Sequence, residues 1–265
     1  YKVYYEQTFD CPDSEGVAYV PSKWSTKAIT GDGVGNLTIK KEDDNYYYSI
    51  DASTGAPKYM GYVIPDISKE AKLEYDLRLN TASPSKEIGL YSYSSSINGG
   101  KLAIRGAIDK KGDVYFYNGS TKVSTAIANI AGSKWVTFIY DINNKEYNYQ
   151  VTVADKATGE ELGKTEVLNY YHGAEAQVGA FSFQISETGA KLDIDNVKVH
   201  GYEEPFTYEP EIDAWTKDGK VSVTESTDGA TYTIENDYCM VVIDKVTGDV
   251  LQFYTSDGKE LCGAN

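Results

Sequence analysis

The sequence contains few histidines, methionines and cysteines. Its 265 residues include two histidines, His172 and His200, two methionines and three cysteines. A nucleophilic triad needs a histidine oriented by an acid, and neither histidine lies in a recognisable setting of that kind. The cysteines (Cys11, Cys239 and Cys262) fit no zinc spacing and no disulfide framework. A Cys239–Cys262 bond and free buried thiols both remain open.

Long apolar runs and helical periodicity are also missing. No stretch is long and apolar enough for a transmembrane helix, and no signal peptide is recognisable. Because the chain begins in strand-like sequence, we expect a mature form or a shortened chain.

Basic residues are outnumbered, with 25 Lys and Arg against 40 Asp and Glu, for a net charge of −15. Nucleic acids and anionic membranes both need a basic surface, so the charge argues against both partners. An ordinary secreted surface accounts for the same charge.

Tyrosine is abundant instead, with 24 residues, and it favours β-strands. Residues 71–80 alternate between apolar and charged positions, which is typical of a half-buried strand. Turn signals such as Asn98-Gly99-Gly100 separate about a dozen similar segments. The sequence therefore predicts an all-β fold, a two-sheet antiparallel jelly-roll sandwich with a small C-terminal β unit. The candidate strands of the sandwich are 3–10, 36–42, 46–51, 59–65, 71–80, 87–94, 101–108, 114–118, 134–141, 146–154, 164–170 and 177–186, with Trp24 in a polar loop.

A last alternating strand, 191–200, closes this region, with a one-residue slip at Asp195-Asn196 that indicates a bulge or a change of face. Acidic, proline-containing sequence follows. We predict a jelly-roll domain over 1–203, a linker over 204–213, and a small or shortened β domain over 214–265. The last has predicted strands at 220–225, 230–235, 238–244, 249–255 and 259–262.

Three segments of the first domain carry a family resemblance. They are Phe9-Asp10 followed by Trp24, the pair 134–141 and 147–151, and the ending 192–199. Together they resemble a concanavalin-like jelly roll, the fold of laminin-G-like domains and of bacterial carbohydrate-binding modules. The resemblance implies a carbohydrate-binding module.

The C-terminal segments resemble another family. Residues 232–238, 241–244, 247–250 and 257–261 look like the first hairpins of a galactose-mutarotase-like sandwich, as found in rhamnogalacturonan lyases. This resemblance implies that a further catalytic domain of the same polypeptide follows, and it makes pectin or rhamnogalacturonan the expected ligand.

Five residues on strands 87–118 form the candidate carbohydrate site. Their parity opposes that of Leu90, Ile104 and Phe116, which we expect to face the core. Aromatic rings can stack on sugars, and arginine offers a fork of donors to a uronate. Tyrosines that fill a second core layer or merely cover the sheet are the alternative. The five residues are Tyr91, Tyr93, Arg105, Tyr115 and Tyr117.

A structural calcium is the second candidate site. Hard cations prefer oxygen ligands, and Asp10 and Asp195 would meet if the terminal strands pair. In the families that the chain resembles, an acid near each terminus often serves such a calcium. Solvated or capping acids are the alternative.

The favoured function is non-catalytic binding of a plant cell-wall polysaccharide, within an extracellular bacterial polysaccharide-degrading enzyme. Residues 192–196 lack the two glutamates of laminarinase-like jelly rolls, and Gln184-Ile185-Ser186 lacks the histidine of alginate lyases. Whether the chain is an enzyme therefore stays uncertain, with a non-catalytic chain favoured. A lyase or hydrolase with its site on the jelly roll is one alternative, and an adhesion or spacer domain is another.

Overall fold

The computed structural model describes residues 2–18, 20–28, 37–52, 58–64, 70–80, 87–185, 190–201, 221–236, 239–255 and 260–263. The chain divides into two compact units, Tyr1–Glu203 and Glu204–Asn265. Apart from short 3-10 turns at Pro12–Ser14 and Gly173–Glu175, the described elements are strands. Within these ranges no helix is long and apolar enough to cross a membrane.

The first unit is a sandwich of two antiparallel sheets, and the predicted all-β jelly roll with a small C-terminal β unit is confirmed. One sheet has nine strands, in the order β14-β13-β12-β6-β17-β4-β3, with β1 beside β17 and β15 beside β13. The other has eight, in the order β10-β9-β8-β7-β16-β5-β2, with β11 beside β9. The strands are β1 (Lys2–Gln7), β2 (Trp24–Ala28), β3 (Leu37–Glu42), β4 (Asn45–Asp51), β5 (Lys58–Val63), β6 (Glu70–Leu79), β7 (Ile88–Tyr93), β8 (Leu102–Ile108), β9 (Asp113–Asn118), β10 (Thr121–Lys122), β11 (Ala128–Asn129), β12 (Trp135–Asn143), β13 (Asn148–Asp155), β14 (Glu161–Lys164), β15 (Leu168–Asn169), β16 (Ala180–Ile185) and β17 (Lys191–Gly201).

The core fills the space between the sheets with alternate residues from both. Tyr75 on β6 stacks on Phe138 at 5.2 Å between ring centroids and lies 5.3 Å from Phe181 of the opposite sheet. Its hydroxyl shares a 2.6 Å hydrogen bond with the hydroxyl of Tyr140, so the buried phenols satisfy each other. The abundance of tyrosine thus serves the core as well as the surface.

Strand β17 lies in the middle of the nine-stranded sheet, between β6 and β4, rather than at an edge. Its pairing with β6 shifts between Asp195 and Lys198, and Asn196 adopts a positive φ of 48°. The predicted slip is therefore a bulge. It keeps Ile194 and Val197 both buried, although an unbroken strand would place them on opposite faces.

Two local predictions were wrong. Trp24 begins β2 instead of lying in a loop, because its ring packs against core aromatics and its indole N–H donates to the hydroxyl of Tyr5 at 2.6 Å. The single strand predicted over 164–170 is split into β14 and β15. Between them, the side-chain oxygen of Thr165 accepts the backbone N–H of Val151 at 2.9 Å and interrupts the regular ladder.

The second unit is a five-stranded antiparallel sheet in sequential order. None of its described side chains is fully buried. Cys239 has a free thiol, and its strand is separated from that of Cys262 by the whole of β21. The predicted linker over 204–213 lies outside the described residues. The strands are β18 (Val221–Glu225), β19 (Thr231–Asn236), β20 (Cys239–Asp244), β21 (Val250–Thr255) and β22 (Glu260–Gly263).

Candidate functional site

The structure places all five residues of the candidate carbohydrate site on the outer face of the eight-stranded sheet. Residues opposite one another in an antiparallel pair share a face, and Tyr91 pairs with Arg105 while Tyr115 pairs with Ala107. The alternate residues Leu90, Ile104 and Phe116 belong to the buried core. The tyrosines and the arginine are each partly exposed. We call this surface, together with Tyr59, Gln184, Lys122 and Tyr171 that adjoin it, the tyrosine face.

The tyrosines contact one another across neighbouring strands. Tyr91 and Tyr93 meet edge to face, with ring centroids 6.1 Å apart. On the other side of β16, the hydroxyl of Tyr59 accepts a 2.8 Å hydrogen bond from the side-chain amide of Gln184. Edge-to-face packing fixes the ring orientations, so this part of the face offers a preformed aromatic surface.

Small residues form the floor between the rings. Gly89 pairs with Ala107 on one side and with Gln184 on the other. A Cβ added at Gly89 would lie 2.6 Å from the ring of Tyr91, so the missing side chain lets that ring lie against the backbone of β7. Gly89 and Ala107 are both buried, with the ring of Tyr91 lying over Gly89.

Arg105 is the cation at the centre of the tyrosine face. Its guanidinium carbon lies 4.3 Å from the ring centroid of Tyr117 and 5.4 Å from that of Tyr171. It donates one hydrogen bond, of 3.2 Å, to the hydroxyl of Tyr171. A guanidinium has five N–H donors, and no carboxylate is paired with it in the described part of the chain. The two ring contacts restrain the position of the guanidinium.

Two phenols of the tyrosine face, Tyr91 and Tyr93, have raised pKa values. Burial, with the neighbouring Tyr59 and Tyr91, raises the pKa of Tyr93 to about 12. Burial also raises the pKa of Tyr91 above its usual range, although the charge of Arg105 opposes this. At neutral pH these two phenols are therefore uncharged, and neither can serve as a general base.

Several members of the face were not predicted from the sequence. Tyr59 and Gln184 alternate with buried residues on β5 and β16, so the same parity argument would have found them. Lys122 lies on the two-residue strand β10, with its ammonium 3.9 Å from the ring centroid of Tyr115. Tyr171 lies in a loop that is held by a hydrogen bond from its backbone N–H to the carbonyl of Ala103. No local sequence pattern predicts that contact.

The two acids predicted to bind calcium are placed differently from each other. Asp10 is exposed, whereas Asp195 is fully buried, although β1 and β17 do pair as expected. The carboxylate of Asp195 accepts 2.9 Å and 3.4 Å bonds from Asn45 and Lys156. The ammonium of Lys156 also lies 2.9 Å from Asp76.

This arrangement does not fit a calcium ion. Calcium takes six to eight oxygen ligands, but a lysine ammonium already lies between the two buried carboxylates. Among the described residues, no group of three or more acids, histidines or cysteines is arranged to hold a metal. The calcium at Asp10 and Asp195 stays a prediction without support from the donor set.

The outer face of the nine-stranded sheet carries another arginine, Arg78. It makes 3.0 Å and 2.9 Å bonds to Asp193 and a 2.6 Å bond to Glu42. Its guanidinium also lies over the rings of Trp135, at 4.6 Å, and Tyr47, at 5.0 Å. Arg78 and Asp193 are both buried and are paired with each other, which indicates a structural role, while Glu42 itself is exposed.

Neither a family model nor a curated protein sequence matches this chain. Solved structures match its fold at low identity. The catalytic domain of the glycoside hydrolase family 131 protein from Coprinopsis cinerea is 10% identical, with a TM-score of 0.52 over 78% of this chain and 96% of that one. The T. cruzi calreticulin globular domain is 12% identical, with a TM-score of 0.51 over 82% and 94%. At this identity the likeness shows a shared β-sandwich fold alone.

Proposed function

We propose that the tyrosine face binds carbohydrate without catalysing its cleavage. The observation that carries the proposal is the set of partly exposed tyrosines around Arg105, lying over a floor of small residues on one sheet face. Sugar rings have apolar faces that stack on aromatic rings and hydroxyls that accept hydrogen bonds from a guanidinium. A shallow face also suits an extended polymer, which needs no deep cavity.

The similar structures add support at the level of fold. One of them is named as a glycoside hydrolase domain, so sugar chemistry occurs on this kind of sandwich. Because one fold hosts many functions, the proposal depends on the side chains rather than on this likeness.

Pectin or rhamnogalacturonan is the proposed ligand class. Arg105 would form a forked pair with a uronate carboxylate, which is the strongest type of contact that a guanidinium makes. The proposed setting is extracellular, in a bacterial polysaccharide-degrading enzyme. There the second unit would begin a galactose-mutarotase-like sandwich that belongs to a further catalytic domain.

Calorimetric titration of the whole chain with pectic and neutral oligosaccharides tests the proposal. Tyr93→Ala should weaken binding by about 1–3 kcal/mol, by analogy with bases stacked on aromatic rings. Tyr232→Ala is the matched control, because Tyr232 is also partly exposed but lies in the second unit. Wild-type affinity in Tyr93→Ala, or no binding of any oligosaccharide, would overturn the proposal.

A polysaccharide lyase is the enzymatic alternative, because Arg105 also shares this face with Tyr115 and Tyr117, two phenols besides Tyr91 and Tyr93. A lyase leaves an unsaturated sugar that absorbs ultraviolet light. A rise in absorbance during incubation with a polyuronate, lost in a variant without Arg105, would show that the chain is a lyase and not a non-catalytic binding protein.

A further inference from the structure

The tyrosine face carries a second cation besides Arg105. Lys122 pairs in register with Tyr117 across β10 and β9, so its side chain belongs to the same face. Its ammonium lies 3.9 Å from the ring centroid of Tyr115, while Arg105 lies over Tyr117. Each of the two outward tyrosines of β9 therefore has its own cation.

The spacing of these cations follows from strand geometry. Arg105 on β8 and Lys122 on β10 lie on either side of β9. Strands two apart in a sheet are separated by about 10 Å, so the two cations come from strands that far apart. A single carboxylate cannot satisfy both at that distance, whereas a chain with repeated carboxylates can.

A carboxylate of the protein already occupies the neighbourhood of Lys122. Glu87, just before β7, lies 3.6 Å from the ammonium, and both side chains are well exposed, at 49% and 38%. Exposed ion pairs contribute little free energy, because water and salt screen them. The contact with Glu87 means that Lys122 is accessible to a carboxylate on this face. Because the ion pair is weak, the carboxylate of a ligand can displace Glu87 from Lys122.

Arg105 and Lys122 differ in this respect. In the described ranges Arg105 bonds to the neutral hydroxyl of Tyr171 and to no acid. Lys122 has an exchangeable acid. The chain has a net charge of −15, but salt screens the repulsion between distant charges and an anionic ligand. At contact distance, the two cations on the aromatic face attract a negatively charged ligand.

We propose that the tyrosine face binds a polyuronate through two carboxylates at once, one at Arg105 and the other at Lys122, and that Glu87 holds Lys122 until the second carboxylate arrives. This inference rests on the proposed function and names its substrate class as a polymer with repeated carboxylates. Lys122 would then contribute to the affinity only for ligands long enough to carry a second carboxylate.

The test uses the full chain and galacturonate oligosaccharides of increasing length, together with the same oligosaccharides whose carboxylates have been reduced to alcohols. Lys122→Met should weaken binding of the longer acidic oligosaccharides by about fivefold, the effect of losing one exposed bond to a charged group. It should leave the monosaccharide and the reduced oligosaccharides unchanged. Arg105→Met should weaken binding of every acidic ligand. Lys122→Arg should retain the length dependence.

Glu87→Gln supplies an independent arm, because it removes the competitor without touching a cation. We expect it to tighten binding of the longer acidic oligosaccharides by about twofold to fivefold, since a surface pair no longer has to be broken. Because the side chains of Glu87 and Lys122 are exposed, the variants at these two positions should fold. Melting curves check this.

Two results would overturn the inference. One is equal binding of acidic and reduced oligosaccharides, and the other is wild-type length dependence in Lys122→Met. Either result would leave sugar binding by the tyrosine face intact. Failure of both ligand series to bind would instead remove the proposed function itself.

Discussion

The two arginines of the chain, Arg78 and Arg105, lie on the outer faces of opposite sheets and have opposite surroundings. Arg78 is 9% exposed and is held by Asp193 and Glu42. Arg105 is partly exposed, stacks on Tyr117 and Tyr171, and has no acid partner among the described residues. Both have aromatic neighbours, so the difference lies in the acids.

One outer face therefore has its charges paired within the protein, and the other does not. Around Arg78 and Lys156, the carboxylates and cations satisfy one another within the protein. On the tyrosine face, the cations are stacked on rings and are either without an acid or paired with an exposed one. A preformed but incompletely paired surface is what a polar ligand can complete.

The largest expected effect is on the stability of the nine-stranded sheet. Arg78→Met leaves the carboxylate of Asp193 buried without its cation, so we expect the free energy of unfolding to fall by about 3–5 kcal/mol. Urea unfolding followed by tryptophan fluorescence measures this. Arg105→Met is the matched control and should cost less than about 1 kcal/mol, because its charge leaves no buried acid behind. Equal losses in the two variants would contradict the comparison.

Sequence reasoning went furthest where alternation is regular. The bulge at Asp195-Asn196 and the shared face of Tyr91, Arg105 and Tyr117 both follow from period two. The difference in pairing between Arg78 and Arg105 cannot be predicted from this periodicity, because each lies in an alternating strand near aromatic residues. Only the pairing of β6 with β17 brings Asp193 opposite Arg78, and that long-range register has no local signal.

The calcium prediction illustrates the same limit. The terminal strands pair as expected, but Lys156 comes from the turn after β13, a segment distant in sequence from both Asp10 and Asp195. A cation supplied by a remote turn cannot be found from the termini alone.

The second largest effect should come from Lys156, whose ammonium lies near two buried carboxylates. We expect Lys156→Met to lower the free energy of unfolding by about 2 kcal/mol, less than a fully buried pair because the lysine is partly exposed. Thermal unfolding with added calcium or a chelator belongs in the same experiment. If Lys156 is the resident cation, the wild-type melting temperature will not respond to calcium. A calcium-dependent rise in the wild type would restore the calcium prediction.

The smallest effect concerns the pH dependence of Asp195. Burial raises the pKa of Asp195, although bonds from Asn45 and Lys156 oppose the shift. The folded protein therefore binds this proton more tightly than the unfolded chain does. As pH falls from neutral through the raised pKa towards the ordinary value of about 3.9, the wild type should gain stability relative to Asp195→Asn. The difference in unfolding free energy between the two proteins, measured against pH, gives the sign. A relative loss over that interval would show that the ion pair with Lys156 outweighs burial.

The central claim is that the tyrosine face, and not the outer face of the nine-stranded sheet, binds the glycan. The most direct measurement is an NMR titration of the isotope-labelled full chain with a pectic oligosaccharide, following backbone amides. We predict that the shifts concentrate on β7, β8 and β9, around Tyr91, Arg105 and Tyr117, while the amides around Arg78 and Asp193 stay in place. Shifts that concentrate around Arg78, or anywhere in the second unit, would contradict the account.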